Sequence, residues 1–126
     1  MAIQSSKFQG ASGTTYAYYV FPLDFSPKDD QFGNYMLARQ SREGRWIPVF
    51  IGQGNLKERV RDKVHMRRAQ QKGATHILAR VNQNEQLRRV EERDMLVAHP
   101  EACTPTGCNE KIFAKAAPLR IIQKRD

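Results

Sequence analysis

Between Trp46 and Val60 the chain reads WIPVFIGQGNLKERV: an apolar run, a glycine pair, then a charged segment. Asn55 followed three residues later by Glu58 has the spacing of a capping box, which predicts a helix from about Leu56. Helical spacing puts Leu56, Val60 and Val64 on one apolar stripe and Arg59, Lys63 and Arg67 on a cationic stripe beside it. A guanidinium is a planar fork of permanent charge that matches phosphate oxygens, so such a row can hold a polyanion; the plainer reading is a solvated helix face. His65, on the same segment, is of the residue type whose ordinary pKa of about 6.5 suits proton transfer. Farther along, His99, Cys103 and Cys108 offer zinc-ligand chemistry, but a tetrahedral site needs a fourth ligand, such as His65 or His76, delivered by the fold. Two reduced cysteines without a metal are the expected state.

The elements that position these groups belong to one domain. At 126 residues the chain suits a single core, with 40% apolar and 27% charged residues, the ordinary balance of a globular protein. No apolar run reaches membrane-spanning length, and MAIQSSKFQGASGTT lacks the hydrophobic stretch of a secretory signal, so a cytoplasmic location without a membrane partner is expected. Lys and Arg number 21 against 13 acidic residues, a formal charge of +8, with a pI near 9.9. Basic side chains gain free energy by releasing counterions from a phosphate backbone. Nucleic acid is therefore the favoured partner, with Lys57, Arg61, Arg67 and Arg68 as candidate contacts.

Residues 1–13, rich in Ser, Gly and Gln, are expected to be loose. TTYAYYVFPL is dense in aromatic and β-branched residues and predicts a strand ended by Pro22. NYMLAR and RWIPVFI predict a hairpin turned near Gly44; Pro48 cannot donate to a ladder, so its strand needs an edge position or a bulge there. Gly73 suits the end of the Leu56 helix, and ATHILARV alternates Ile77, Ala79 and Val81 against His76, Leu78 and Arg80, as a strand does. Asn82 or Asn84 suits the start of a second helix that ends at Pro100; Leu87, Val90 and Val97 suggest one apolar face, Met95 and Leu96 widen it, and Asp94 interrupts it. The expected organisation is one α/β domain over residues 14–109 and a basic tail over residues 110–126.

This order of strand, hairpin partner, glycine turn, arginine-bearing helix, strand, glutamate-bearing helix and late asparagine resembles the GIY-YIG nuclease family, over roughly residues 34–109. The first family motif corresponds to GNY, with Tyr35 in the tyrosine position. The second corresponds to FIG, so Gly52 matches and Phe50 stands where the family usually has tyrosine. Arg59 matches the helix arginine, and Lys63 stands four residues later, where relatives often have histidine or tyrosine. Glu92 matches the metal-binding glutamate because Met95 and Leu96 follow it at the family's apolar positions; a shift of one residue would select Glu91. Asn109 matches the late asparagine. The resemblance implies an α+β fold, a small mostly antiparallel sheet flanked by helices, and a Mg²⁺- or Mn²⁺-dependent endonuclease acting on DNA, or on RNA.

Hydrolysing a phosphodiester requires an activated water, stabilisation of charge on the phosphate, and help for the departing oxyanion. In the implied site Glu92 anchors the metal as a hard oxygen ligand and Arg59 engages phosphate oxygens. Phe50 has no hydroxyl, which leaves Tyr35 to relay a proton, Lys63 as a nearby cation, and His65 as a second candidate base. Losing one of two cooperating phenols would lower turnover by the ~10²–10⁴-fold typical of a general base. The same residues also admit a nucleic-acid-binding module without cleavage, or a protein-interaction adaptor whose charge is incidental.

Overall fold

A computed structural model describes residues 4–110. Of the expected basic tail over residues 110–126, everything from residue 111 on lies outside the described residues. The fold is α+β. Strands β1 (Ser5–Gln9), β2 (Thr15–Pro22), β3 (Phe32–Gln40), β4 (Trp46–Asn55) and β5 (His76–Val81) form one antiparallel sheet in the order β1-β2-β5-β3-β4. Helices α1 (Leu56–Val60), α2 (Lys63–Gln71) and α3 (Glu85–Ala98) complete it, with a short 3₁₀ turn at Pro100–Ala102.

Part of the segment expected to be loose is ordered. Ser5–Gln9 pairs with β2 in the register Phe8↔Tyr16, because Phe8 gives the strand an inward face and is buried. At Pro48 both expected solutions occur: β4 is an edge strand, and its register with β3 shifts between Leu37 and Ala38. That exposed edge is then covered. Cys108 N–H donates to the Val49 carbonyl at 2.9 Å, and the Asn109 side chain bonds both backbone groups of Ile51, at 2.8 and 2.9 Å.

Both faces of the sheet are buried at β3, whereas one face of β2 is exposed at Thr15, Ala17 and Tyr19. Tyr16, Tyr18, Met36, Ile51 and Leu78 pack with Met95 and Leu96 of α3 on one face. Tyr35, Leu37, Val49 and Ile77 pack with Leu56 of α1 and Ala69 of α2 on the other. Ile77, Leu78 and Ala79 are consequently all buried, so the alternation seen in β5 separates two cores rather than core from solvent.

Two helix expectations need correction. The helix expected to run from Leu56 to Gly73 is two helices, because Asp62 breaks it by capping α2, accepting from Val64 N–H at 3.1 Å and His65 N–H at 3.2 Å. The break turns Val64 outward, leaves Ala69 as the buried position of α2, and separates Lys63 and Arg67 from the stripe of Arg59.

On α3 the expected apolar face is only half right: Met95 and Leu96 are buried as expected, but Leu87, Val90 and Val97 face solvent and Arg88 and Glu91 are buried instead. The sheet beneath supplies polar partners that make this arrangement stable. Tyr18 Oη donates to Glu91 Oε2 at 2.6 Å and Arg80 reaches Glu91 Oε1 at 3.1 Å. Arg88 donates to Gln53 Oε1 at 3.0 Å and to the Asn82 carbonyl at 3.1 Å, and Asn34 Nδ2 donates to the Arg88 carbonyl at 2.9 Å. Buried polar groups are tolerated when such bonds replace those to water.

Asp94 ties α3 to the β1–β2 turn, accepting from Ser12 N–H at 2.8 Å, Ser12 Oγ at 2.7 Å and Tyr16 Oη at 2.7 Å. Burial pushes its pKa up, but these bonds together outweigh burial and hold it below the ordinary value. A carboxylate depressed in the folded state contributes stability that is present above its unfolded pKa of about 3.9 and lost as pH falls through the folded value. Asp94→Asn should therefore lower the melting temperature near pH 7 and converge on the wild type as pH falls below 4, measured by thermal melts across pH.

Candidate nuclease site

β4 carries Phe50, Gly52 and Gly54 at alternate positions, on the face that meets α1 and α2. The glycines make room for two functional groups. A Cβ on Gly52 would lie 2.8 Å from the Tyr35 hydroxyl oxygen, and one on Gly54 would lie 2.8 Å from Arg59 Nε. Gly54 also has φ +137, a backbone conformation disfavoured for side chains larger than hydrogen. The phenol from β3 and the guanidinium from α1 are thus seated on neighbouring steps of one strand. Tyr35 is 3% exposed; Arg59 is exposed and so reachable by a phosphate.

Burial is the main cause that pushes the Tyr35 phenol above its ordinary pKa. The Arg59 guanidinium opposes that shift, while the Glu92 and Asp62 carboxylates add to it. Charges from α1, from the α1–α2 junction and from α3 therefore bear on a single hydroxyl. The phenol is held neutral at physiological pH, able to donate a hydrogen bond or pass a proton but not to persist as phenolate.

Phe50 lies at the other end of this strip, its ring 6.1 Å from that of Tyr35 and stacked on His65 at 5.1 Å. His65 Nδ1 is 2.9 Å from Asp62 Oδ2. The break that makes two helices therefore places an Asp–His pair on the aromatic that replaces the expected tyrosine. Lys63 is elsewhere, in a surface groove with Val60, Arg61, Met66, Arg67 and Gln70. Of the candidate nucleic-acid contacts, Arg61, Arg67 and Arg68 are exposed, whereas Lys57 is paired with Asp29 at 2.7 Å.

Glu91 and Glu92 have different surroundings. Glu91 is buried against Tyr18 and Arg80, and burial, against the pull of both, raises its pKa. Glu92 lines a surface groove of α3 with Ser12, Tyr16 and Asp94, and its carboxylate is one of the charges that raise the Tyr35 pKa. Among the described residues no group of three or more His, Cys, Asp or Glu is placed to hold a metal. Mg²⁺ is usually bound by one or two carboxylates, with waters and substrate phosphates filling its shell, and Glu92 is the carboxylate that the resemblance would assign to it. The zinc set is not assembled in this way: Cys103 packs in the apolar cluster under α3 and Cys108 in the cluster on the opposite face.

Asn109 stands beside this strip, with both polar ends of its side chain engaged by the Ile51 backbone. Its observed contacts are those of a clamp on β4. Asp62 is the group that reading the sequence missed; as an N-cap candidate just before Lys63 it carried a legible signal.

Compared with protein-family models, with curated proteins and with solved structures, the chain matches none.

Proposed function

We propose that the chain is a divalent-metal-dependent endonuclease that hydrolyses phosphodiester bonds in DNA. One observation supports the reading: Tyr35 and Arg59, from different elements, are seated side by side on β4 over Gly52 and Gly54. The GIY-YIG resemblance names Tyr35, Gly52 and Arg59 independently of that geometry.

In this reading Arg59 binds the scissile phosphate, its fork matched to two non-bridging oxygens. The Asp62 carboxylate accepts from His65 Nδ1–H, which leaves Nε2 as the ring atom able to accept a proton from the attacking water. The water oxygen bonds to phosphorus as the P–O bond to the leaving group breaks. The neutral Tyr35 phenol donates a hydrogen bond to the oxygen that gains charge. Glu92 would hold Mg²⁺, which when bound supplies charge stabilisation to the phosphate and the departing oxyanion.

The test is nicking of supercoiled plasmid with Mg²⁺ or Mn²⁺ by the wild type and Glu92→Ala. Metal-dependent nicking lost in the variant supports the reading. The rival reading, a binding module without catalysis, draws on Phe50, which offers no hydroxyl beside Tyr35. DNA binding with a steep salt dependence and no nicking at any metal concentration would select it. In the nuclease reading His65→Ala should lower turnover by the ~10²–10⁴-fold typical of a general base, since Phe50 offers no hydroxyl to take its place.

A further inference from the structure

On the sheet face of Tyr35, but across β2 and β5, lies an open groove of about 660 Å³ lined by Tyr19, Phe21, Phe25, Leu56 and Lys28 among others. The volume falls within the roughly 300–1,000 Å³ of sites that bind small organic groups. Its floor follows from strand alternation: Thr15, Ala17, Tyr19 and Phe21 point to one face of β2 while Tyr16 and Tyr18 enter the core under α3. Helix α2 packs over β3, and the groove's far wall is the loop after β2, where Phe25 stacks on Phe21 with ring centroids 3.8 Å apart. Tyr19 is 50% exposed and Val81 48% exposed, so this aromatic and apolar surface is open to solvent.

The groove's electrostatics narrow its occupant. Arg80 contributes to the wall, but its guanidinium is committed to Glu91 on the α3 face at 3.1 Å. Among the described residues Lys28 is then the cation facing the groove, and no carboxylate lines it. The loop's Asp29 is not among the lining residues and is paired with Lys57 at 2.7 Å. Thr15, Ser26 and Gln31 add neutral hydrogen-bonding groups. An aromatic wall, neutral polar groups and one cation match a planar heterocycle carrying an anion, which is the chemistry of a nucleotide. Leu56 joins the groove to the catalytic strip, since it lines the groove and packs in the same cluster as Tyr35.

We propose that this groove binds an unpaired base of a nucleic-acid strand, stacking it on Tyr19 beside the Phe21–Phe25 pair with Lys28 on its phosphate, so that the protein prefers DNA with single-stranded or flipped-out nucleotides near the cut. The proposal rests on the nuclease reading for its link to cleavage, and on aromatic stacking as the general means by which proteins hold single strands. It is tested by fluorescence anisotropy in EDTA, where no cleavage occurs, with a labelled DNA hairpin closed by a non-nucleotide linker and bearing a single-stranded arm, and the same hairpin without the arm. Wild type should bind the armed hairpin more tightly. Tyr19→Ala, at an exposed position, should weaken that binding about tenfold, Tyr19→Phe should retain it, and binding to the fully paired hairpin should be the same in all three.

Equal affinity of wild type and Tyr19→Ala for the armed hairpin would overturn the groove, even if plasmid nicking succeeds. The predicted Tyr19 pattern without any nicking would keep the groove and remove the nuclease. Displacement of the armed hairpin by AMP at concentrations near those of the hairpin itself would make the groove a free-nucleotide pocket and overturn strand binding.

Discussion

Arg59→Ala is expected to lower the nicking rate by about 10²–10³-fold, the loss typical when one preorganised donor to a developing oxyanion is removed. The guanidinium is exposed, lies over Gly54 and counters the shift of the Tyr35 phenol, so its removal takes a phosphate-binding fork from the strip without opening a core. Stability should change by no more than about 0.5 kcal/mol, as is usual for surface positions. Arg59→Lys keeps the charge but loses the planar fork, and should recover only part of the rate. Plasmid nicking followed beside a thermal melt checks both halves. An Arg59→Ala protein that nicks normally would remove this residue from the chemistry.

Gly33→Ala is expected to be the most destabilising single methyl in the sheet, costing about 3 kcal/mol or more. Gly33 sits in β3 between Gly54 of β4 and Val81 of β5, and a Cβ there would lie 2.0 Å from the Arg80 carbonyl oxygen and 3.0 Å from the Val81 Cα. Both obstacles are backbone, so relief requires β3 and β5 to separate. Gly52→Ala makes an instructive contrast: its Cβ meets the Tyr35 ring and hydroxyl at 2.8–2.9 Å, the far end of a side chain that can swing. The first variant should fail to fold cooperatively in chemical denaturation. The second should melt closer to wild type yet lose nicking, because the phenol is pushed off its step.

The local grammar of this chain was legible where one residue decides the backbone. Pro48 demanded an edge or a bulge and has both, Asn84 caps α3 by accepting from Leu87 N–H at 2.9 Å, and Asn55 caps α1 by accepting from Glu58 N–H at 3.2 Å. What periodicity misread was the orientation of helices against a polar surface. Leu87, Val90 and Val97 looked like one stripe with Met95 and Leu96, but the sheet presents Tyr18, Asn34 and Gln53 to α3, so Glu91 and Arg88 turn inward beside Met95 and Leu96 and the other three aliphatics turn out. No pattern along one helix contains that information, since it belongs to strands far away in sequence. The β1 strand was missed for a related reason: Ser and Gln have low strand propensity, and pairing with β2 together with burial of Phe8 overrides it.

The candidate site divides in the same way. Tyr35, Gly52, Arg59 and Glu92 came from motif order; the fold seats the first three along β4, while Glu92 stands on α3 in the groove with Ser12, Tyr16 and Asp94. Lys63 was placed beside Arg59 on the premise of one continuous helix; Asp62 ends that premise and brings His65 onto Phe50 instead. The result is an imidazole from α2 stacked on the phenyl ring of Phe50.

That Arg59 and Glu92 serve one phosphate is the claim on which the nuclease reading stands. Its most direct measurement is a double-mutant cycle on Mg²⁺-dependent nicking, with Arg59→Lys and Glu92→Asp chosen so that each variant retains a measurable rate. If the two groups act on the same reacting centre, the double variant should be slowed by much less than the product of the two single losses. Single losses that multiply, or single variants as fast as the wild type, would contradict it.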